Sequence, residues 1–148
     1  MRGLSGSGKS TVVQILKKNK ESRQTFVCAS ADDFFIDKST GEFKFDQEKI
    51  QLAHSSCKTT VISSLRSKID IIVVDNTNSK HWEYREHYEA AQKSGYNILI
   101  IELQTSEKHI PDLIKRGKGV PLEIVQNMYQ RWENTPTELK KIILDVQF

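Results

Sequence analysis

The chain of 148 residues carries a net charge of +3, with 28% charged and 37% hydrophobic residues. This balance is typical of one folded domain and excludes a disordered, fibrous or low-complexity protein. No apolar run approaches the roughly 20 residues that a membrane-spanning helix needs, and we find no signal peptide. We therefore expect an intracellular protein, cytoplasmic or nuclear, that does not contact membranes. Cys28 and Cys57 lack the spacing of metal ligands and fit reduced thiols.

The first residues, "RGLSGSGKST", have the G-x-x-x-x-G-K-S spacing of a phosphate-binding loop. Its glycines let the backbone turn tightly, so that successive N–H groups point at phosphate oxygens. Lys9 supplies positive charge for the β- and γ-phosphates, and the Ser10 hydroxyl is placed to ligate Mg²⁺. A Gly/Ser-rich linker, the alternative, would need neither the Lys-Ser-Thr triplet nor the amphipathic helix behind it. We expect ATP and Mg²⁺ as ligands, with ATP contacts from Gly3, Ser5, Gly6, Ser7, Gly8, Lys9, Ser10 and Thr11.

Short apolar runs rich in β-branched residues alternate with helical patterns along the rest of the chain. Runs that are apolar on both faces are typical of buried parallel strands. The alternation predicts a single α/β domain over residues 1–148, a P-loop NTPase of three layers with right-handed crossovers. The predicted strands are 25–29, 69–75, 97–103 and 142–148, and the predicted helices follow the phosphate-binding loop and cover about 46–67, 80–93 and 121–132.

Polar residues follow two of the predicted strands, where the ligands of parallel sheets bind. Asp75 follows an apolar strand, as a Walker B carboxylate does, so we expect Asp75 and Ser10 to bind Mg²⁺. Asp32 follows the preceding strand and is placed to accept a proton from an acceptor hydroxyl. The alternative for each acidic residue is a helix cap or a turn. The expected substrate-binding residues are Asp32, Asp33, Asn76 and Asn78.

The segment "DLIKRGKGVP" is a second source of positive charge. Lys115, Arg116 and Lys118 lie in a Gly-flanked stretch where phosphotransferases carry a lid. A lid arginine neutralises charge on the transferred phosphoryl group, and we assign that catalytic and ATP-binding role to Arg116. Arg131, on the following predicted helix, is a further ATP-binding candidate. The alternative is a solvated basic turn.

Three aromatic residues and one histidine are further candidates. Trp82, Tyr84 and Tyr88 could stack a nucleobase, but the helical spacing of the two tyrosines favours a place in the core. His54 lies beside an apolar helix face, and we expect it half-buried or at the edge of a cleft.

The motifs together resemble a known family in order and spacing: "RGLSGSGKST", "SADDFF", "FD…AH…C", "DNTN…W…Y", "SGY" and "GVP". They are similar to the kinase-like domain of the NEDD-four-binding-protein-two-like proteins, an AAA_33-like ATPase domain. More distantly, they resemble phage polynucleotide kinase and the N-terminal half of the myelin cyclic-nucleotide phosphodiesterase. The resemblance covers nearly the whole chain.

The resemblance implies transfer of the ATP γ-phosphate to the 5′-hydroxyl of a polynucleotide, and hence the 5′ end of single-stranded nucleic acid as a partner. It implies that Asp32 is the general base and that Lys9 and Ser10 bind the phosphates and Mg²⁺. Asp75 would organise the site and a lid arginine would clamp the phosphates.

The chain departs from the family pattern in three respects, two of which concern residues of the site. Phe35 stands where the phage enzyme has an arginine two residues after its D-D pair, so we expect acceptor binding to differ. The lid reads "KRGKGV" where the family has R-N-x-H-G-V. A one-residue deletion aligns Arg116 with the family arginine, and an ungapped comparison aligns Lys115. We prefer Arg116, since lysine cannot make the planar bidentate contact.

The third departure precedes the loop, where the family has an apolar central strand of about five residues. Burying such a strand contributes roughly 10 kcal/mol, comparable to the whole stability of a domain, about 5–15 kcal/mol. We therefore expect an N-terminally truncated domain without its first strand and anchor, with low stability.

Three functions remain open from the sequence. The first is an ATP-dependent polynucleotide 5′-hydroxyl kinase, favoured by the complete set of loop and strand-end residues. The others are a nucleotide-binding interaction or scaffold module without turnover and a small-molecule kinase.

Overall fold

The computed structural model describes residues 1–117 and 119–146 as strands and helices in alternation. Every ladder between the strands is parallel, which confirms the predicted α/β class. In the part of the chain that the structure describes, no helix is long and apolar enough to cross a bilayer. The elements are β1 (Arg2–Gly3), α1 (Lys9–Asn19), β2 (Phe26–Ala29), α2 (Ile50–Arg66), β3 (Ile71–Val74), α3 (His81–Lys93), β4 (Ile100–Gln104), α4 (Ile110–Arg116), α5 (Leu122–Gln130) and β5 (Lys141–Asp145).

The strands form two sheets, β2–β3 and β1–β4–β5. Backbone hydrogen bonds join their neighbouring edges: the Met1 ammonium donates to the Val74 carbonyl at 2.9 Å, and Gly3 N–H donates to the Thr77 carbonyl at 3.2 Å. These bonds place β1 between β3 and β4. The residues that follow β1, β2 and β3 therefore emerge side by side at one edge, as the sequence predicts for a ligand site.

A short first strand, β1, consists of Arg2 and Gly3 alone. The expectation that an apolar strand before these residues is missing stays a prediction. Arg2 and Gly3 pair with Glu102 and Leu103 of β4. Beyond Met1, between β3 and β4, lies a mainly apolar cavity of about 350 Å³. Burial lowers the pKa of the Met1 amino group to about 6, because the charged form loses its hydration.

Two apolar clusters hold the helices on the sheets. The first packs α2 against β2 and contains Ala29, Phe35, Ala53, Cys57 and Val61 among its buried members. The second joins the start of the phosphate-binding loop to α4 and α5, and its buried members are Leu4, Ile110, Leu113 and Val125. The second cluster seats the loop against α4, which makes α4 part of the site.

The boundaries differ from the predicted ones around the lid. Lys115 and Arg116 form the last turn of α4 rather than a Gly-flanked turn, because Pro111 favours a helix start and Gly117 follows its end. Helix α5 ends at Gln130, so Arg131 lies just after the helix on which the sequence placed it. Lys118 and the end of the predicted last strand, 147–148, fall outside the described residues.

Candidate active site

The phosphate-binding loop owes its shape to two glycines in the left-handed region. Gly6 has φ 78° and Gly8 has φ 94°, angles that residues with a Cβ rarely adopt. A Cβ on Gly6 would also collide with the backbone carbonyl of Leu113. Gly8 caps α1 without a side-chain hydrogen bond, and the first turn holds no acidic residue. This helix end therefore suits an anion.

Lys9 lies across this loop. Its Nζ donates to the carbonyls of Gly3 at 2.8 Å and Leu4 at 3.0 Å. The flexible side chain keeps its charge beside the N-terminal end of α1. Its predicted contact with phosphate stays a prediction.

The metal candidates are in contact. Ser10 Oγ donates to Asp75 Oδ2 at 3.0 Å. The other carboxylate oxygen, Asp75 Oδ1, is buried without a hydrogen-bond partner in the structure. Among the described residues no three His, Cys, Asp or Glu side chains cluster as a metal cage. One hydroxyl and one carboxylate fit Mg²⁺, which takes most of its ligands from water and phosphates.

Asp32 and Asp33 lie in a 3₁₀ turn, Asp32–Phe35, that follows β2. Asn76 fixes this turn from the end of β3: its Oδ1 accepts from Ala31 N–H at 2.9 Å, and its Nδ2 donates to Cys57 Sγ at 3.4 Å. With both ends of its amide engaged, Asn76 positions the aspartate pair. Its predicted contact with substrate stays a prediction.

The strand ends share one electrostatic environment. Burial, with the nearby carboxylates of Asp75 and Asp33, raises the pKa of the Cys28 thiol to about 12. Burial also raises the pKa of Cys57. Both thiols therefore stay protonated and serve as small apolar groups rather than as nucleophiles.

Asn78 is only 4% exposed, and its side chain links the segment after β3 to the start of the chain. Its Nδ2 donates to the Met1 carbonyl at 2.8 Å, and its backbone takes φ 49°. This burial contradicts the prediction that Asn78 contacts a substrate. His54, by contrast, is exposed on α2 rather than half-buried.

The basic residues predicted to bind phosphate lie in different places in the structure. A Cβ built on Gly117 would lie 3.4 Å from Ser5 Oγ, so the chain after Arg116 passes along the phosphate-binding loop. Lys115 lies one residue earlier and pairs with Asp112 of its own helix at 3.5 Å. Arg131 Nη2 instead pairs with Glu83 Oε1 of α3 at 3.1 Å. The structure therefore places Gly117, the residue after Arg116, beside the loop and pairs Arg131 with α3. The ATP-binding role of Arg116 stays a prediction.

The family model AAA_33, described as an AAA domain, matches residues 1–134. The chain belongs to the AAA_33 family. Human NEDD4-binding protein 2 is 33% identical over 141 residues, which are 92% of this chain and 8% of that protein. The AAA_33 domain therefore spans a small part of the length of that relative, and the resemblance read from the motifs is confirmed.

Solved kinases share the fold of this AAA_33 domain. A gluconokinase from Sinorhizobium meliloti 1021 superposes with a TM-score of 0.64 at 18% identity, covering 98% of this chain and 79% of that one. A sugar kinase from a Janibacter species gives 0.63 at 16% identity, covering 98% and 82%. The AAA_33 domain thus has the α/β fold of P-loop kinases.

Arg2 is a central residue of the AAA_33 domain that the motifs did not single out. Its side chain, 1% exposed, pairs with Glu102 of β4 at 2.7 Å and donates a hydrogen bond to Thr135. A charged residue inside the apolar run "NILIIEL" needs a buried partner, and that is the signal that could have identified the pair. Arg2 also donates to the backbone carbonyls of Asn78 (2.7 Å), Ser79 (3.0 Å) and Glu133 (2.7 Å).

Two aromatic rings complete the surroundings of Arg2. Its guanidinium carbon lies 4.5 Å from the ring centroid of Trp132 and 5.2 Å from that of Tyr84. The core interpretation of Tyr84 is confirmed, while Trp82 is 65% exposed on α3. Arg2 thus ties the start of the phosphate-binding loop to β4 and to the residues after β3.

A cavity of about 760 Å³ opens beside the loop at the ends of β4 and β5. Its wall includes Leu4, Thr105, Trp132 and Asn134. Thr105 Oγ1 is buried without a hydrogen-bond partner in the structure. The cavity is large enough for a nucleoside and offers it both apolar and polar contacts.

Proposed function

We propose that this AAA_33 domain is an ATP-dependent kinase that phosphorylates the 5′-hydroxyl of a single-stranded polynucleotide. The contact between Ser10 and Asp75 beside the Lys9 loop carries the proposal. It joins the phosphate-binding helix to a strand-end carboxylate, the arrangement that P-loop enzymes use for a nucleotide and its metal.

ATP binds with its phosphates at the loop, held by backbone N–H groups, Lys9 and Arg116. Its nucleoside enters the cavity lined by Thr105 and Trp132. Ser10 and Asp75 would hold Mg²⁺, which would neutralise negative charge on the phosphates.

Asp32 acts as the general base. It takes the proton of the 5′-hydroxyl while the hydroxyl oxygen bonds to the γ-phosphorus. The bond from that phosphorus to the β,γ-bridging oxygen breaks, and ADP leaves with the electron pair. Arg116 offsets negative charge on the transferred group.

The family motifs support the polynucleotide acceptor. The basic residues near the site are few, so we expect the logarithm of affinity to fall with the logarithm of salt concentration at a shallow slope of roughly −1 to −3. Cys28 and Cys57 are free thiols, which fits the reducing interior of the cytoplasm or nucleus. A small-molecule acceptor is the second candidate, favoured by the shared fold of the two sugar kinases.

The test incubates γ-labelled ATP and Mg²⁺ with 5′-hydroxyl RNA, 5′-hydroxyl DNA, free nucleosides and gluconate. We expect label on the oligonucleotides. Label on nucleosides or gluconate alone would establish the small-molecule kinase, and ATP binding without any transfer would establish an interaction module.

A further inference from the structure

The strand-end turn that carries Asp32 continues into a short hairpin. Ile36 and Phe43 form an antiparallel bridge, and Asp37 N–H donates to the Glu42 carbonyl at 2.8 Å. The Asp37 carboxylate accepts from Ser39 N–H at 2.9 Å and from Ser39 Oγ at 2.6 Å. These bonds close the turn of the hairpin.

The buried ring of Phe35 packs against three exposed phenyl rings. Phe35 is 6% exposed, and its carbonyl accepts from Lys44 N–H at 2.8 Å. Its ring centroid lies 5.5 Å from Phe34, 6.1 Å from Phe43 and 5.2 Å from Phe45. These three rings are 40%, 38% and 56% exposed. We call Phe34, Phe43 and Phe45 the phenyl platform.

The platform begins one residue after Asp33. Phe34 belongs to the same 3₁₀ turn as the aspartate pair, Asp32–Phe35. Asp32 and Phe34 thus lie within one four-residue turn, which puts the start of the platform close to the position where we propose that the acceptor hydroxyl binds. Exposed apolar surface of this kind, next to a site, is typical of a binding surface.

The charges of the hairpin identify the part of the substrate that it contacts. Residues 37–49 contain three lysines and four acidic residues. Lys44 pairs with Asp37 and Glu42, and Lys49 pairs with Asp46. This balance does not attract phosphates, whereas exposed rings stack on the π-faces of unpaired bases regardless of sequence.

We propose that the phenyl platform stacks the first unpaired bases of the acceptor strand and so gives the enzyme its preference for single-stranded 5′ ends. This proposal rests on the proposed kinase function, since it names what holds the acceptor at Asp32. It implies that a 5′ end paired in a blunt duplex is a poor substrate.

Phe45 is the position to change, since it is the most exposed ring of the platform. Leu52 on α2 is 57% exposed and serves as the matched control. The variants are Phe45→Ala, Phe45→Leu, Phe45→Trp and Leu52→Ala, each checked for folding by circular dichroism. Binding of a 3′-fluorescein, 5′-hydroxyl oligonucleotide is measured by anisotropy with normal bases or with two abasic sites at its 5′ end.

If the platform stacks bases, Phe45→Ala and Phe45→Leu should bind the oligonucleotide about tenfold more weakly than the wild type. Phe45→Trp should recover the affinity, and Leu52→Ala should change it less than about twofold. Abasic sites should weaken wild-type binding by a similar factor and add little in Phe45→Ala. Equal sensitivity of both proteins to the abasic sites would overturn the platform, as would normal binding by Phe45→Ala. Absence of phosphoryl transfer by the wild type would instead refute the kinase function, because this binding test needs no turnover.

Discussion

Ser10 Oγ and Asp75 Oδ2 lie 3.0 Å apart, although 65 positions separate them in the sequence. One belongs to the first turn of α1 and the other directly follows β3. Their contact brings the helix dipole and a carboxylate to one point, where the second oxygen of Asp75 is buried without a partner. A phosphate-bound cation fits between these two side chains, because the Ser10 hydroxyl and the Asp75 carboxylate can both act as its ligands.

The charge of Lys9 at the loop leads to the first prediction. Lys9→Ala should weaken binding of ATP·Mg²⁺ by about ten- to a hundredfold, because a charged hydrogen bond to phosphate is lost. Isothermal titration calorimetry measures the affinity. Lys17→Ala, at the far end of α1, is the control and should bind as wild type does. Equal affinities of both variants would refute the loop assignment.

The buried pair of Arg2 and Glu102 leads to the second prediction. Arg2→Met should lower the free energy of unfolding by about 3–5 kcal/mol, because Glu102 is left buried without its partner. Urea denaturation measures this loss. The double variant Arg2→Met/Glu102→Gln removes the stranded charge and should recover part of it. A double variant no more stable than Arg2→Met would show that Arg2 acts mainly through its backbone and aromatic contacts.

The amino group of Met1 leads to a prediction on pH. Its pKa falls from 8.0 to about 6 on folding, because burial disfavours the charged form. Between pH 8 and pH 6 the unfolded chain therefore binds more protons than the folded one. Stability should decrease as pH falls through this window, by about 2 kcal/mol. N-terminal acetylation removes the titrating group and should abolish that slope. An unchanged slope after acetylation would assign the effect to another group.

The cavity between β3 and β4 leads to a prediction on stability. Five apolar, β-branched residues added before Met1 should extend β1 into this space and raise the melting temperature. Each side chain that becomes buried contributes about 1.5–3 kcal/mol. A Gly/Ser extension of equal length is the control, since it offers no apolar surface. Equal melting temperatures of the two extended proteins would show that the cavity does not accept a strand.

Local patterns in the sequence were enough to predict the loop and the sheet. The spacing of Gly3, Lys9 and Ser10 follows from the needs of a phosphate, and continuous apolar runs predict buried parallel strands. Asp75 could be placed because it follows such a run directly. The short helix α4 was missed, since its seven residues carry little periodicity.

Long-range contacts could not be predicted from local patterns. The partners of Arg2 lie 76 to 133 positions away along the chain, so no window of sequence contains them. Asn76 and Asn78 resemble ligand-binding residues because they are polar and follow a strand. Their hydrogen bonds to Ala31 N–H and to the Met1 carbonyl, which join the strand ends, could be found only from the structure.

The transfer reaction itself tests the central claim most directly. A 5′-hydroxyl oligonucleotide is incubated with γ-labelled ATP, and nuclease digestion locates the label. We expect label on the 5′-terminal nucleotide with the wild type, and about 10²–10⁴-fold slower transfer with Asp32→Asn at unchanged ATP affinity. Asp33→Asn is the neighbouring control and should retain most of the transfer. No label on the oligonucleotide, or transfer that survives in Asp32→Asn and is lost in Asp33→Asn, would contradict the account.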